Sequence, residues 1–140
     1  MNSYVLDTSV VIKWFSQYNE DDLDKALSLR NSIQKGLCII TVPDLLFYEV
    51  SNALRYNPDF TDADVKDALQ SLYDMGFDTV RVEKEILHSA IEIAFKYNVT
   101  VYDAAFLALS MKLNKSFVTA DYKFFERIKD FHIIVKLTDL

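Results

Sequence analysis

Short apolar runs alternate along this chain with longer stretches in which apolar positions recur every three or four residues. Residues 3–6 form an apolar run that reads as a buried strand stopping at Asp7, and residues 8–15 read as a helix. Residues 21–35 carry Leu23, Ala26, Leu27 and Ile33 at helical spacing, with acids in the first turn and Gly36 just past the end, which predicts an amphipathic helix. Residues 37–42 read as the next strand. Pro43 and Asp44 open a helix that runs to about Tyr56, where Asn57-Pro58 closes it because the residue before a proline disfavours the α region.

Thr61 is placed to cap a further helix, with Asp62 and Asp64 at the positive end of its dipole and Gly76 beyond Met75. Residues 77–82 alternate as a strand, and residues 84–97 are helical by the spacing of Ile86, Ala90, Ile93 and Ala94. Residues 101–113 are apolar nearly all round, so that helix must be buried. Asn114 suits a left-handed cap, residues 117–119 read as a strand, residues 122–129 as a short helix and residues 132–137 as a last strand. Such alternation predicts right-handed βαβ units. The fold class is therefore α/β, a parallel sheet covered by helices on both faces, with ligands collecting beyond the carboxyl ends of the strands.

With 140 residues, 51% of them apolar, the chain is expected to form one domain over residues 1–140 with a sizeable core. The absence of an eighteen-residue apolar run and of a charged leader before an apolar segment predicts neither a membrane span nor a secretory signal, hence a cytoplasmic protein. Cys38, the one cysteine, lies in an apolar stretch, which excludes an intrachain disulfide and predicts a buried thiol. His88 and His132 have neither a cysteine partner nor metal-binding spacing and are expected to be structural or exposed.

A net charge of -6 argues against a broadly basic nucleic-acid binder, but the charge is uneven. Residues 59–92 hold nine acids and three bases, whereas residues 111–140 hold six bases and four acids. Lys112, Lys115, Lys123, Arg127 and Lys129 fit either a phosphate path or solvated helix faces.

Four acids stand where a strand or helix is heading into apolar surroundings: Asp7, Glu49, Asp103 and Asp121. Glu49 shares a helical stripe with Leu45 and Ala53, which predicts an inward-facing carboxylate. Asp103 fits the capping-box spacing from Thr100 and also lies three and four residues before Phe106 and Leu107. Asp7 and Asp121 follow strands, where acids often serve as helix caps. Gathered in one pocket, the four would make six like-charge pairs, each repelling by roughly 3 kcal/mol at about 5 Å and an effective dielectric of about 20. Bound cations, protonation or strong donors are needed to tolerate that. Carboxylate oxygens without thiolate or imidazole select hard cations, Mg²⁺ or Mn²⁺, and such ions suit phosphodiester hydrolysis.

The strings Val5-Leu6-Asp7-Thr8-Ser9-Val10, Glu49 with Ala53-Leu54, Val101-Tyr102-Asp103-Ala104-Ala105 and Val118-Thr119-Ala120-Asp121 together resemble the PIN-domain family along essentially the whole chain, and the length is similar to that of its VapC-type toxins. The resemblance implies a three-layer α/β/α sandwich around a five-stranded parallel sheet. It implies an Mg²⁺- or Mn²⁺-binding acidic quartet of Asp7, Glu49, Asp103 and Asp121, and endonucleolytic cleavage of single-stranded RNA. Ser9 and Thr119 match positions whose hydroxyls lie beside the quartet. The resemblance further implies a homodimer, silenced by a cognate antitoxin in a groove that Trp14, Phe15, Tyr18, Phe47, Tyr48 and Tyr56 supply enough aromatic surface to line. An RNA-processing nuclease outside a toxin-antitoxin pair, or a PIN-fold module that binds RNA or protein without cleaving, are the alternatives.

Two other Mg²⁺ folds place an Asp after the first strand. A haloacid-dehalogenase-like phosphatase wants a second Asp where Ser9 stands, and a response-regulator receiver wants an adjacent acid pair that is not present after the first strand. The string Asp7-Thr8-Ser9 disfavours both.

Overall fold

The structure is a computed structural model that describes residues 1–17 and 20–140. Its strands are β1 (Asn2–Leu6), β2 (Cys38–Pro43), β3 (Asp78–Val80), β4 (Ser116–Thr119) and β5 (Ile134–Lys136). Its α-helices are α1 (Thr8–Ile12), α2 (Leu23–Gln34), α3 (Leu45–Arg55), α4 (Asp62–Asp74), α5 (Lys84–Tyr97), α6 (Val101–Leu113) and α7 (Tyr122–Ile128), and a 3₁₀ turn covers Leu137–Asp139.

The strands form one sheet in the order β3-β2-β1-β4-β5, and every pairing is parallel. The chain steps from β1 to β2 to β3 in one direction, then crosses back to β4 and β5. Because βαβ crossovers are right-handed, that reversal puts α1 to α4 on one face and α5 to α7 on the other, giving the three-layer α/β/α sandwich. Helix α6 accordingly lies across β1, β2 and β4, while α2 and α3 pack on β2. The reversal also opens a crevice between the carboxyl ends of β1 and β4, the place where open parallel sheets hold ligands.

Helix α6 is the core of its layer: Ala104–Ser110 are all buried, and Phe106 stacks on Phe117 of β4 at a centroid distance of 6.3 Å. Burying a side chain of that size contributes about 1.5–3 kcal/mol. Positive φ angles end α4 at Gly76 (75°) and α6 at Asn114 (51°), so the backbone can turn sharply back into the next strand. Thr61 and Asp64 close a reciprocal capping box at the start of α4. Cys38 is buried, burial raises its thiol pKa, and both histidines are exposed.

Three elements are shorter than their patterns suggest. The helix expected over residues 8–15 stops at Ile12, because Trp14 turns aside to donate its indole N–H to the Ala26 carbonyl at 2.9 Å and the buried Lys13 pairs with Glu20 at 2.6 Å. The expected strands at 77–82 and 132–137 keep only three residues each, since each is an edge strand with a single neighbour to pair with. Among the described residues no helix is long and apolar enough to cross a membrane.

Candidate active site

Asp7 is the first residue past β1, and its N–H donates to the Val118 carbonyl at 2.9 Å, carrying the β1–β4 pairing one step into the crevice. Its side chain is 4% exposed. Oδ2 accepts from the Ser9 hydroxyl at 2.7 Å and from the Thr119 hydroxyl at 2.8 Å, and no hydrogen bond to Oδ1 is made among the described residues. The two hydroxyls are anchored in turn: Ser9 Oγ accepts from the Ala120 N–H at 3.0 Å, and Thr119 Oγ1 from the Asp121 N–H at 3.1 Å. This network ties the start of α1 to the turn between β4 and α7 and fixes one carboxylate orientation. Burial lifts the Asp7 pKa from an ordinary 3.8 to about 7; the two hydroxyls pull it down, and the charges of Asp103 and Glu49 push it up.

Glu49 lies in the middle of α3 and is half-buried, with Oε1 accepting from the Thr8 hydroxyl at 2.6 Å. Its inward position does not arise from the stripe shared with Leu45 and Ala53, because Ala53 is exposed. The buried stripe of α3 is Leu46, Phe47, Val50 and Leu54, and Glu49 sits on its flank, turned toward α1. Burial raises its pKa, the Thr8 hydroxyl opposes that, and Asp103 adds to it. Thr8 is thus a positioning residue that sequence reasoning missed. Its one local signal is its place between Asp7 and Ser9; the pairing with Glu49 spans 41 residues.

Asp103, in the first turn of α6, is also half-buried. At α6 the capping box is half made: the Asp103 N–H donates to Thr100 Oγ1 at 3.0 Å. Its carboxylate pKa is raised by burial and by the charge of Asp121, against the Thr100 hydroxyl. Asp121 departs from the expectation of apolar surroundings. It is exposed, and its Oδ1 accepts from the Phe124 N–H at 3.0 Å, capping α7. A cap at the sheet edge points to solvent, so the run of apolar residues before it does not bury it.

The fold therefore sets Asp103 and Glu49 near enough to raise the Asp7 pKa and Asp103 near enough to raise that of Glu49, with Asp121 at the rim raising that of Asp103. Among the described residues none of the four belongs to an ion pair. Nor do any three His, Cys, Asp or Glu side chains there form a group arranged to hold a metal ion. Asp7 accepts instead from the Ser9 and Thr119 hydroxyls, Glu49 from the Thr8 hydroxyl and Asp121 from the Phe124 N–H. In donor chemistry the four fit a hard divalent cation, since all are oxygen ligands, and for Asp7, Glu49 and Asp103 burial and like charge disfavour the ionised form in a way a cation would relieve.

The aromatic side chains considered for a groove separate into different places. Phe47 and Tyr48 line an apolar groove of about 850 Å³ between α3 and α4, with Phe47 stacked on Tyr73 at 4.4 Å. Trp14 and Phe15 border a separate depression with Ile33 and Met75, Tyr56 is exposed beneath the Arg55 guanidinium, and Tyr18 lies outside the described residues.

Comparison with known proteins places this geometry in context. Ribonuclease VapC3 of Pyrobaculum aerophilum is 33% identical over 89 residues, covering 60% of this chain and 67% of that protein. The structure of VapBC2 from Rickettsia felis bound to a promoter DNA fragment matches with a TM-score of 0.71 at 13% identity, over 96% of this chain and 98% of the other. A toxin-antitoxin complex from Klebsiella pneumoniae matches with a TM-score of 0.69 at 14% identity, over 98% and 99%. The family model described as the PIN domain matches residues 4–130, so this chain, with its parallel sheet and acidic crevice, belongs to the PIN-domain family.

Proposed function

We propose that the chain is an Mg²⁺- or Mn²⁺-dependent endoribonuclease that cleaves phosphodiester bonds of single-stranded RNA, and that it is the toxin of a type II toxin-antitoxin pair acting in the cytoplasm. The observation that carries this reading is Asp7, buried at the β1–β4 crevice with its pKa lifted to about 7 and two further raised carboxylates, Glu49 and Asp103, beside it. Structural carboxylates in a core are normally paired with a base; among the described residues these are not. The likeness to a VapC ribonuclease supports the same chemistry.

Asp7, Glu49 and Asp103 would hold the ion, with Asp121 as the fourth carboxylate at the rim of the site. Ser9 and Thr119 keep Asp7 in one orientation, and Thr8 does the same for Glu49. Such an ion would supply Lewis-acid activation of water and charge neutralisation at the phosphate. The α3–α4 groove, adjoining Glu49 along α3, has the apolar lining that suits a segment of an antitoxin, which the toxin-antitoxin complex among the structural relatives supports.

One observation favours a second reading, a PIN-fold module that binds RNA without cleaving it: none of the carboxylate trios, as they stand, forms a metal-holding group among the described residues. Purified protein incubated with single-stranded RNA separates the two. We expect cleavage with Mn²⁺ that stops in EDTA and in Asp7→Asn and Asp103→Asn, both still folded by circular dichroism. Undiminished cleavage by both variants in EDTA overturns the mechanism, and folded wild-type protein that binds RNA without cutting it leaves the module. A small neighbouring reading frame encoding a DNA-binding protein supports the toxin role.

A further inference from the structure

Of the five bases considered for a phosphate path, three are already engaged. Lys112 pairs with Glu85 at 3.5 Å, Lys129 pairs with Glu126 at 3.0 Å, and Lys115 donates to the Thr41 hydroxyl at 2.7 Å. Among the described residues Lys123 makes no ion pair or side-chain hydrogen bond, and Arg127 makes one bond, to a backbone carbonyl. They lie one turn apart on the exposed side of α7, opposite the buried Phe124 and Ile128, and border a depression of about 390 Å³ whose other wall includes Asp103 and Asp121. Arg127 Nη1 donates to the Asn98 carbonyl at 2.6 Å, which aims the guanidinium, and among the described residues its other donors have no partner. Asn98 itself holds a left-handed conformation (φ 54°) that ends α5 and turns the chain toward Thr100.

We infer that this depression binds an RNA phosphate next to the scissile one, with Lys123 and Arg127 as its positioning residues. The inference rests on the proposed RNA cleavage and names where the substrate backbone leaves the acidic crevice. A chain of net charge -6 that presents four carboxylates to a polyanion needs local cations to seat the flanking phosphates, and this is the basic pair that shares a cavity with two of those acids. A guanidinium fixed by one backbone bond keeps donors for a phosphate at little further entropy cost. Phosphate contacts carry no base information, so the pair would add affinity regardless of sequence.

The test compares Lys123→Gln/Arg127→Gln with Lys35→Gln/Lys112→Gln, which removes the same charge elsewhere, using full-length protein and a fluorescein-labelled single-stranded RNA. Folding is checked by circular dichroism. The first pair is expected to raise KM and the RNA dissociation constant on the order of tenfold with kcat little changed, and to make the log-log salt dependence of binding shallower by about 1.4. The control pair should move neither by a comparable amount. Equal effects from both pairs, or wild-type kinetics in the first, overturn the inference while leaving the nuclease intact. Wild-type protein that binds RNA but does not cut it, with the salt slope still lost in the first pair, overturns the proposed activity and keeps the phosphate site. Wild-type protein that neither binds nor cuts RNA overturns both.

Discussion

Replacing Asp7 by Asn removes a buried charge while keeping the shape and an oxygen that can accept from Ser9 and Thr119. In metal-free protein the Asp7 pKa lies at about 7 against an ordinary 3.8, so the folded state favours the protonated carboxyl. The stability gained from that proton is fully present below about pH 3.8 and is lost as pH rises through about 7, a change worth about 4 kcal/mol. Asp7 is nearly inaccessible, so solvent screening does little to reduce that figure, which is a large share of the 5–15 kcal/mol typical of a domain. Urea denaturation in EDTA from pH 4 to 8 should show wild-type stability falling across this window. Asp7→Asn should be the more stable protein at pH 8, by roughly 10 °C in Tm, and keep only the pH dependence that Glu49 and Asp103 supply. Adding Mn²⁺ at pH 8 should restore the wild type and do much less for the variant. Parallel pH profiles in EDTA, or a variant less stable at pH 8, refute the burial argument.

Thr119→Val removes a buried hydroxyl that donates to Asp7 and accepts from the Asp121 N–H; it should cost about 1–3 kcal/mol in urea unfolding and push the Asp7 pKa higher still, and an unchanged midpoint counts against the hydroxyl network. Phe106→Ala opens a cavity in the fully buried α6 layer against Phe117 and should destabilise by about 3–5 kcal/mol in the same assay. We propose that the exposed α5 stripe of Leu87, Ile91 and Phe95 is covered by a second copy of the chain; Phe95→Glu is then expected to elute later than the wild type in size-exclusion chromatography, and equal elution volumes remove that surface.

The sequence pattern carries the fold because its strongest signals are local. The all-apolar run of α6, the glycine after α4, the Asn114 cap and the Thr61 cap each act within a few residues, and each forms. Element ends were less legible. Helix α1 stops where Trp14 finds a carbonyl twelve residues away, and edge strands end where their single neighbour does. Near the site, the pattern puts Asp7 just after β1 and Asp103 in the first turn of α6, where the structure has them, but misjudges why Glu49 faces inward and how exposed Asp121 is. Those depend on which donor each carboxylate meets across the fold: Thr8 for Glu49, the Phe124 N–H for Asp121. A partner 41 residues distant leaves no periodicity to read.

The claim that these acids are a cation site comes down to where an ion goes. In crystals grown with Mn²⁺, an anomalous difference map should place manganese in the β1–β4 crevice with Asp7, Glu49 and Asp103 as oxygen ligands, Glu49 having left Thr8 or taken up the ion alongside it. A map with no peak in that crevice, or with manganese only on the acid-rich surface of residues 59–92, contradicts the account.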